Sequence, residues 1–213
     1  MPRLVRCLPG PLLALVATLF LAASASALTI PLDREFDAGT VGSFGSVTVT
    51  ANGGDLDFSV SLAGTTLGAG ADLHEFYFNL VGTFTGLTIL NTNAPTTAYV
   101  LSANPPVAGG AGSSFEYGVS FGNGAGAPGN GVLKLATFRI SANEALSLAS
   151  LNQTSSTSGS GVTVNVAAHV QGTSFVAGAT SETMGGAIVP EPGTLALMTL
   201  GLAGLGVAGR RGR

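Results

Sequence analysis

Cysteine and tryptophan are almost missing from this chain. Its 213 residues contain no tryptophan and one cysteine, Cys7, which lies before an apolar stretch close to the N-terminus. The remainder of the chain therefore has no disulfide, no thiol nucleophile and no thiolate metal site. Charged residues form only 9% of the sequence, and there are two histidines, His74 and His169. These scarcities leave few side chains for catalysis or for metal binding.

Positive charge is especially scarce in the central part of the chain, residues 28–188. This part carries ten acidic and three basic side chains, which gives a formal net charge of −7. Nucleic-acid phosphates are bound by clustered lysine and arginine side chains. We therefore expect no nucleic-acid partner.

Residues 1–27 have the pattern of a secretory signal peptide. Two arginines precede the apolar stretch 11–23, and Ala25-Ser26-Ala27 supplies small residues at a cleavage position. The predicted cut falls between Ala27 and Leu28. The expected partners are signal peptidase and the secretion machinery, and the expected destination lies outside the cytoplasm.

Most of the central part alternates apolar and polar residues with a period of two, and glycine and asparagine lie between the alternating runs. Such alternation is typical of half-buried β-strands. We predict an all-β fold for residues 28–176, a β-sandwich of about 8–10 antiparallel strands. Residues 177–188 are glycine-rich, and we predict a flexible tether there. The clearest alternating runs are 47–51, 56–62, 76–80, 115–121 and 162–170.

Three acidic residues form a candidate calcium site. Asp55 and Asp57 share one face of a predicted strand, and Asp72 follows after a turn. Calcium binds several carboxylate and carbonyl oxygens, but the acid spacing of a calcium loop is missing. We therefore favour the other interpretation, the solvated face of an amphipathic strand.

The two histidines offer a second candidate. His74 and Glu75 are adjacent, and His169 lies far along the chain. A histidine and a carboxylate can perform acid–base chemistry or bind a metal ion. Neighbouring residues of a strand point to opposite faces, however, and no third metal ligand is evident. The prediction is that the chain has no catalytic residue, no bound metal and no cofactor, and that it is not an enzyme.

Three tyrosines, Tyr77, Tyr99 and Tyr117, are candidates for stacking on sugar rings. Carbohydrate-binding surfaces favour tryptophan, which is missing here. The phenylalanines close to these tyrosines are better explained as core residues. A glycan-binding surface remains an alternative interpretation of the central part. The phenylalanines concerned are Phe76, Phe78, Phe115 and Phe121.

The last 25 residues combine three features in a fixed order. Val189-Pro190-Glu191-Pro192 is followed by the uncharged run 194–209 and then by Arg210, Arg211 and Arg213. As a helix, the 16 residues of that run would extend about 24 Å, short of a hydrocarbon core of about 30 Å. We predict a short membrane span with the arginines on the cytoplasmic side. The two prolines should keep the preceding segment extended and outside any helix.

This arrangement resembles the sorting signal of PEP-CTERM proteins. The resemblance implies processing near Pro190-Glu191-Pro192 by an exosortase, which is a membrane peptidase. It also implies an exported, non-enzymatic protein of the cell surface or extracellular matrix, with exopolysaccharide as a candidate partner. In this interpretation the chain is held in the inner membrane by its single C-terminal span until processing, and it then resides in the cell envelope or the medium. The alternative is a carbohydrate- or calcium-binding module of the cell envelope.

Overall fold

The computed structural model describes residues 27–36, 39–90, 93, 99–107, 114–121, 132–155, 161–174 and 180–188. The body of the predicted signal peptide and the whole predicted sorting signal lie outside these residues. The described chain forms ten strands, one helical turn α1 (Gly64–Leu67) and one 3₁₀ turn (Leu148–Leu151). The strands are β1 (Ala27–Glu35), β2 (Val41–Asn52), β3 (Asp55–Leu62), β4 (Asp72–Phe78), β5 (Thr88–Leu90), β6 (Val100–Ala103), β7 (Tyr117–Ser120), β8 (Leu135–Ser141), β9 (Val166–Gln171) and β10 (Ser181–Gly186).

All ten strands belong to one antiparallel sheet. Their order is β5-β8-β3-β2-β1-β10-β9-β4-β7-β6. The sheet curls until its two end strands, β5 and β6, come into contact, so that it is nearly closed and barrel-like. The prediction of an all-β, antiparallel fold is confirmed. The strands are, however, joined in one continuous hydrogen-bonded order rather than divided between two separate sheets.

The β2–β3 hairpin shows how the sequence determines a local turn. Asn52 pairs with Asp55, so that Gly53 and Gly54 form a two-residue connection. Both glycines have a positive φ, +63° and +104°, which a side chain would disfavour. Two-residue hairpin turns of this kind match the twist of the flanking strands. The predicted hairpin is confirmed.

The inward-facing side chains form one main core. The ring of Phe58 on β3 stacks on Phe138 of β8 at 5.1 Å between centroids, and it meets Phe76 of β4 at 5.8 Å. Strands β3 and β8 therefore face β4 across the core. This arrangement confirms Phe76, Phe78 and Phe121 as core residues.

A second, smaller apolar cluster lies on the outside of the sheet. Tyr77 of β4 and Ala167 of β9 are paired neighbours, and Phe36, Phe115 and Val164 pack over them. All five residues are at most 3% exposed. We call the outer surface of β4, β9 and β10 the covered face, because both surfaces of the sheet are buried there.

Strand β10 corrects the prediction of a flexible tether over residues 177–188 for the part that the structure describes, residues 180–188. Ser181–Gly186 pairs with β9 on one side and with β1 on the other. Glu182 to Gly186 are all buried. The folded domain therefore continues to Ile188 rather than ending at residue 176. Its glycines, Gly185 and Gly186, allow neighbouring groups to approach closely and do not mark a linker.

Candidate functional site

An ion pair marks the outer surface of β2, β3 and β8. Asp57 of β3 lies directly opposite Arg139 of β8 in the ladder. The Arg139 guanidinium donates from Nε to Asp57 Oδ1 at 2.5 Å and from Nη2 to Oδ2 at 2.9 Å. Asn52 Nδ2 also donates to Asp57 Oδ2, at 2.8 Å. The hydrogen bonds from Arg139 lower the pKa of Asp57 most. Burial opposes them with the next-largest effect, and the hydrogen bond from Asn52 and the positive charge of Arg139 lower the pKa further.

Hydroxyl groups surround this ion pair. Thr48, Thr50, Ser59 and Thr137 are partly exposed, and with the ion pair they line a shallow depression of about 350 Å³. We call this surface the solvated face. Its groups are hydrogen-bond donors and acceptors on a nearly flat sheet, and the Asp57 carboxylate is already bound by Arg139 and Asn52. The chemistry that such a surface offers is polar recognition.

The three acids of the candidate calcium site do not come together. Four strands separate β3, which carries Asp55 and Asp57, from β4, which carries Asp72. Asp72 Oδ1 accepts a hydrogen bond from the Leu133 N–H at 2.7 Å. Among the residues that the structure describes, no three histidine, cysteine, aspartate or glutamate side chains are grouped so as to hold a metal ion.

The two histidines, in contrast, do meet. Strands β4 and β9 are neighbours, and the rings of His74 and His169 are 6.3 Å apart, nearly perpendicular. A bulge between Leu73 and Glu75 makes this possible, because the extra residue lets both His74 and Glu75 lie opposite His169. A strictly alternating strand would have separated His74 from Glu75, and this expectation is the reason for doubting the histidine candidate from the sequence.

The polar groups around the histidines bind mainly one another. Asp72 Oδ2 is 3.2 Å from His74 Nε2, an ion-pair distance without the alignment of a hydrogen bond. His169 Nδ1 is 3.3 Å from Thr183 Oγ1, and the Tyr77 hydroxyl donates to Glu75. The cluster is therefore a largely buried polar network beside the apolar part of the covered face.

The tyrosines do not form a platform for sugar rings. Tyr77 is fully buried and stacks on Phe115 at 5.7 Å. Tyr99 is 3% exposed and meets Phe121 edge-on at 4.7 Å. Tyr117 is partly exposed, but its ring stacks on Phe78 at 5.5 Å. Tyr77 and Tyr99 are core residues, as is Phe115 in the outer cluster.

The described domain ends immediately before the predicted sorting signal. The Ile188 N–H donates to Asn165 Oδ1 at 2.8 Å, and the Asn165 N–H donates to the Gly186 carbonyl at 2.9 Å. These two bonds hold the chain against the start of β9 up to its last described residue. Sequence reasoning missed Asn165, which is only one of the polar positions inside the alternating run 162–170.

The residues predicted for export and sorting lie mainly outside the described part of the chain. Ala27 and Leu28, the predicted cleavage position, are the first two residues of β1. The described segments contain no helix that is both long enough and apolar enough to cross a bilayer. The predicted span 194–209 lies outside these described segments. The residues of the predicted sorting signal that are also outside are Val189, Pro190, Glu191, Pro192, Arg210, Arg211 and Arg213.

Comparisons with known proteins concern only this last part of the chain. Neither a search of curated proteins nor a search of solved structures found a match. A family model described as the PEP-CTERM protein-sorting motif matches residues 189–212. These are the residues whose Pro-Glu-Pro, apolar run and arginines carry the resemblance in the sequence, and that prediction is confirmed. The chain therefore carries a PEP-CTERM protein-sorting motif, which begins at the residue after the described domain.

Proposed function

We propose that this protein is an exported, non-enzymatic component of the cell surface or extracellular matrix, processed by an exosortase-type membrane peptidase. The observation that carries the proposal is the match of residues 189–212 to the PEP-CTERM protein-sorting motif. A signal peptide over 1–27 provides export, and the apolar run 194–209 holds the chain in the inner membrane until processing. The processed domain then resides in the cell envelope or outside the cell.

Two features of the described domain support a structural role. Its ionisable side chains on the solvated face are bound to each other, as Asp57 is to Arg139. Its histidine cluster is largely buried beside the apolar covered face. Both arrangements engage these groups in contacts within the described domain.

The test of the sorting role is replacement of Pro190, Glu191 and Pro192 by alanine in a cell that produces an exosortase. We expect the variant to accumulate as membrane-bound chain with its apolar run intact, because the extended segment for the peptidase is lost. Mass spectrometry of the purified protein identifies both cut sites and any attached group. Thr199→Ala, within the apolar run, is the control and should be processed normally. Normal processing of the triple variant would refute the sorting role.

The solvated face favours a second candidate function, binding of a carbohydrate. Its hydroxyls, Arg139 and the depression of about 350 Å³ form an exposed polar surface that can donate to and accept from sugar hydroxyls. Titration calorimetry of the exported protein with envelope polysaccharides, with and without Ca²⁺, tests this candidate. Binding that is lost in Arg139→Ala would support the carbohydrate-binding function. The absence of binding heat with every glycan tested would favour the structural role instead. A calcium requirement would point to a site other than Asp55, Asp57 and Asp72 together.

A further inference from the structure

The two ends of the described domain lie at the same end of the sheet. Strand β10 runs antiparallel to its neighbour β1, so that the end of β10 points towards the start of β1. Gly186 lies beside the middle of β1, because a Cβ there would lie 2.2 Å from the Pro31 carbonyl oxygen and 2.9 Å from the Ile30 side chain, and Ile188 follows two residues further along the chain. We call this end the terminal pole. It holds Ala27, the β2–β3 turn and Ile188.

The opposite pole is defined by the same strand directions. Strand β3 begins at the terminal pole and ends at Leu62, next to α1. At about 3.3 Å per residue, the eight residues of β3 separate the two poles by roughly 25 Å. Thr65 and Ala69 are exposed at the opposite pole.

The chain that joins the terminal pole to the predicted membrane span is short. Residues 189–193 are all that lie between Ile188 and Thr194. Even fully extended, they let the two residues separate by no more than about 22 Å. This reach is less than the distance between the poles. The domain cannot turn over and bring its opposite pole to the bilayer while Ile188 keeps its bonds to the domain.

We propose that, while the chain is anchored, the domain stands on the lipid surface with its terminal pole facing the bilayer and its opposite pole facing outward. This orientation rests on the proposed function, because it requires the span 194–209. The cleavable segment then lies in the narrow space between the terminal pole and the membrane. The loops of the opposite pole, among them residues 63–71, are the part that the surroundings meet.

The charge of the terminal pole indicates that the short segment 189–193, and not attraction to lipid, keeps this pole at the membrane. Glu144 accepts hydrogen bonds from the Thr85 N–H at 2.7 Å and from the Thr85 hydroxyl at 2.8 Å. Glu116 accepts from Gln153 at 2.9 Å. The backbone and side-chain bonds from Thr85 lower the pKa of Glu144, so that it stays ionised near neutral pH. Arg139, the cation near this pole in the described domain, is bound to Asp57. Anionic lipid attracts basic clusters. Because the side chains described at this pole are mainly acidic and Arg139 is paired, cleavage within segment 189–193 should release the domain from the membrane.

The experiment uses the full chain with Cys7→Ser, because Cys7 is the only cysteine. Two matched pairs of single-cysteine variants place a fluorophore at exposed positions. Ala145→Cys and Thr83→Cys label the terminal pole, while Ala69→Cys and Thr65→Cys label the opposite pole. The unprocessed chain is reconstituted in vesicles of phosphatidylcholine with phosphatidylglycerol and a lipid that carries a nitroxide on its headgroup. We expect quenching several-fold stronger at both terminal-pole positions than at their partners.

Two further measurements separate the possible outcomes. A Gly-Ser linker of about 20 residues after Ile188 adds roughly 25 Å of average reach, and it should remove most of the difference between the poles. The processed protein should not sediment with the same vesicles. Equal or reversed quenching in a membrane-bound chain would overturn the orientation alone. A full chain that does not remain with the vesicles would overturn both the orientation and the proposed membrane span.

Discussion

The two outer faces of the sheet differ in what lies above them. On the solvated face, β3 alternates partly exposed and buried residues along its whole length, and only one of its surfaces is packed. On the covered face, five consecutive residues of β9 and five of β10 are buried, because Phe36, Phe115 and Val164 pack on the outside of the sheet. One sheet thus contains strands with one buried surface and strands with two. Alternation is expected only in the first kind.

The largest effect that would test this comparison is expected at Gly186. A Cβ there would lie 2.2 Å from the Pro31 carbonyl oxygen, which belongs to the backbone of β1 and cannot rotate away. We expect Gly186→Ala to lower the free energy of unfolding by about 3 kcal/mol, at the upper end of the cost of overpacking. Urea unfolding of the exported protein measures this change.

Gly64→Ala is the matched control for that substitution. A Cβ at Gly64 meets no described atom within 4 Å, and Gly64 opens the helical turn α1. The control should change stability by less than about 0.5 kcal/mol. Similar losses in both variants would show that β10 is not held as tightly as its burial indicates.

The contrast between the faces explains which parts of the fold the sequence revealed. The solvated half could be predicted, because apolar and polar residues alternate in Leu56, Asp57 and Phe58, and Gly53-Gly54 marks the turn before them. Strand β10 could not be predicted. Its sequence, Ser-Glu-Thr-Met-Gly-Gly, has glycine where a close contact requires it, and glycine is also the residue of linkers.

The candidate sites follow the same division. Asp57 and Arg139 each lie on a polar strand surface in the sequence, but their pairing depends on the register of β3 with β8. The meeting of His74 with His169 depends on a bulge in β4 and on the neighbouring position of β9, which are separated by about 90 residues of chain. Neither register nor bulge follows from local propensity. The sorting motif is contiguous, and it was therefore recognisable without a structure.

A smaller effect is expected where the two end strands of the sheet, β5 and β6, come into contact. Asn93 lies beside the edge of β8 and makes three side-chain hydrogen bonds there. Its Oδ1 accepts from the Thr137 N–H at 2.8 Å and from the Tyr99 hydroxyl at 2.7 Å. Its Nδ2 donates to the Leu135 carbonyl at 3.0 Å. Asn93→Ala removes these three bonds. We expect a loss of about 1–2 kcal/mol, because the Tyr99 hydroxyl is left unpaired in a buried position.

Asn152→Ala is the control for the Asn93 substitution, since Asn152 is exposed at the end of the 3₁₀ turn. It should leave the urea midpoint nearly unchanged. The Asn93 variant should also exchange the amide protons of β8 with solvent faster than the parent protein. Unchanged exchange in β8 would mean that Asn93 does not stabilise β8 at this junction.

The ion pair of the solvated face should contribute less, and in a pH-dependent way. Hydrogen bonds from Arg139 place the folded-state pKa of Asp57 below its value in the unfolded chain, which is about 3.9. The stabilisation is therefore present above about pH 4 and is lost as the pH falls through the folded-state pKa. We expect Asp57→Asn to lower Tm by no more than about 4 °C at pH 7, because exposed ion pairs contribute little.

The dependence on pH and on Arg139 separates this effect from a general loss of packing. The Tm difference between the parent and Asp57→Asn should shrink between pH 5 and pH 2. The double variant Asp57→Asn with Arg139→Gln should cost less than the sum of the two single changes, since both remove the same pair. A difference that persists at pH 2, or strict additivity, would contradict the role given to the pair.

The smallest expected effect is the removal of one hydroxyl from the solvated face. Thr48 and Thr183 are both strand threonines, and valine replaces either with nearly the same shape. Thr48 is partly exposed, and its hydroxyl lies 3.5 Å from that of Thr29, at the limit of a hydrogen bond. Thr183 is fully buried, and its hydroxyl lies 3.3 Å from His169 Nδ1. We expect Thr48→Val to change the free energy of unfolding by less than about 0.5 kcal/mol and Thr183→Val to lower it by about 1–2 kcal/mol.

Equal losses in the two valine variants would show that the faces do not differ in the way their burial indicates. A near-neutral outcome at Thr48 would also leave the solvated face available for recognition. A strand surface whose hydroxyls contribute nothing to folding is free to serve recognition, because its side chains can change without loss of the fold. Calorimetry of Thr48→Val with a bound glycan would then measure recognition alone. Weaker binding at unchanged stability would favour the carbohydrate-binding function, and binding that is absent in the parent protein and the variant alike would favour the structural one.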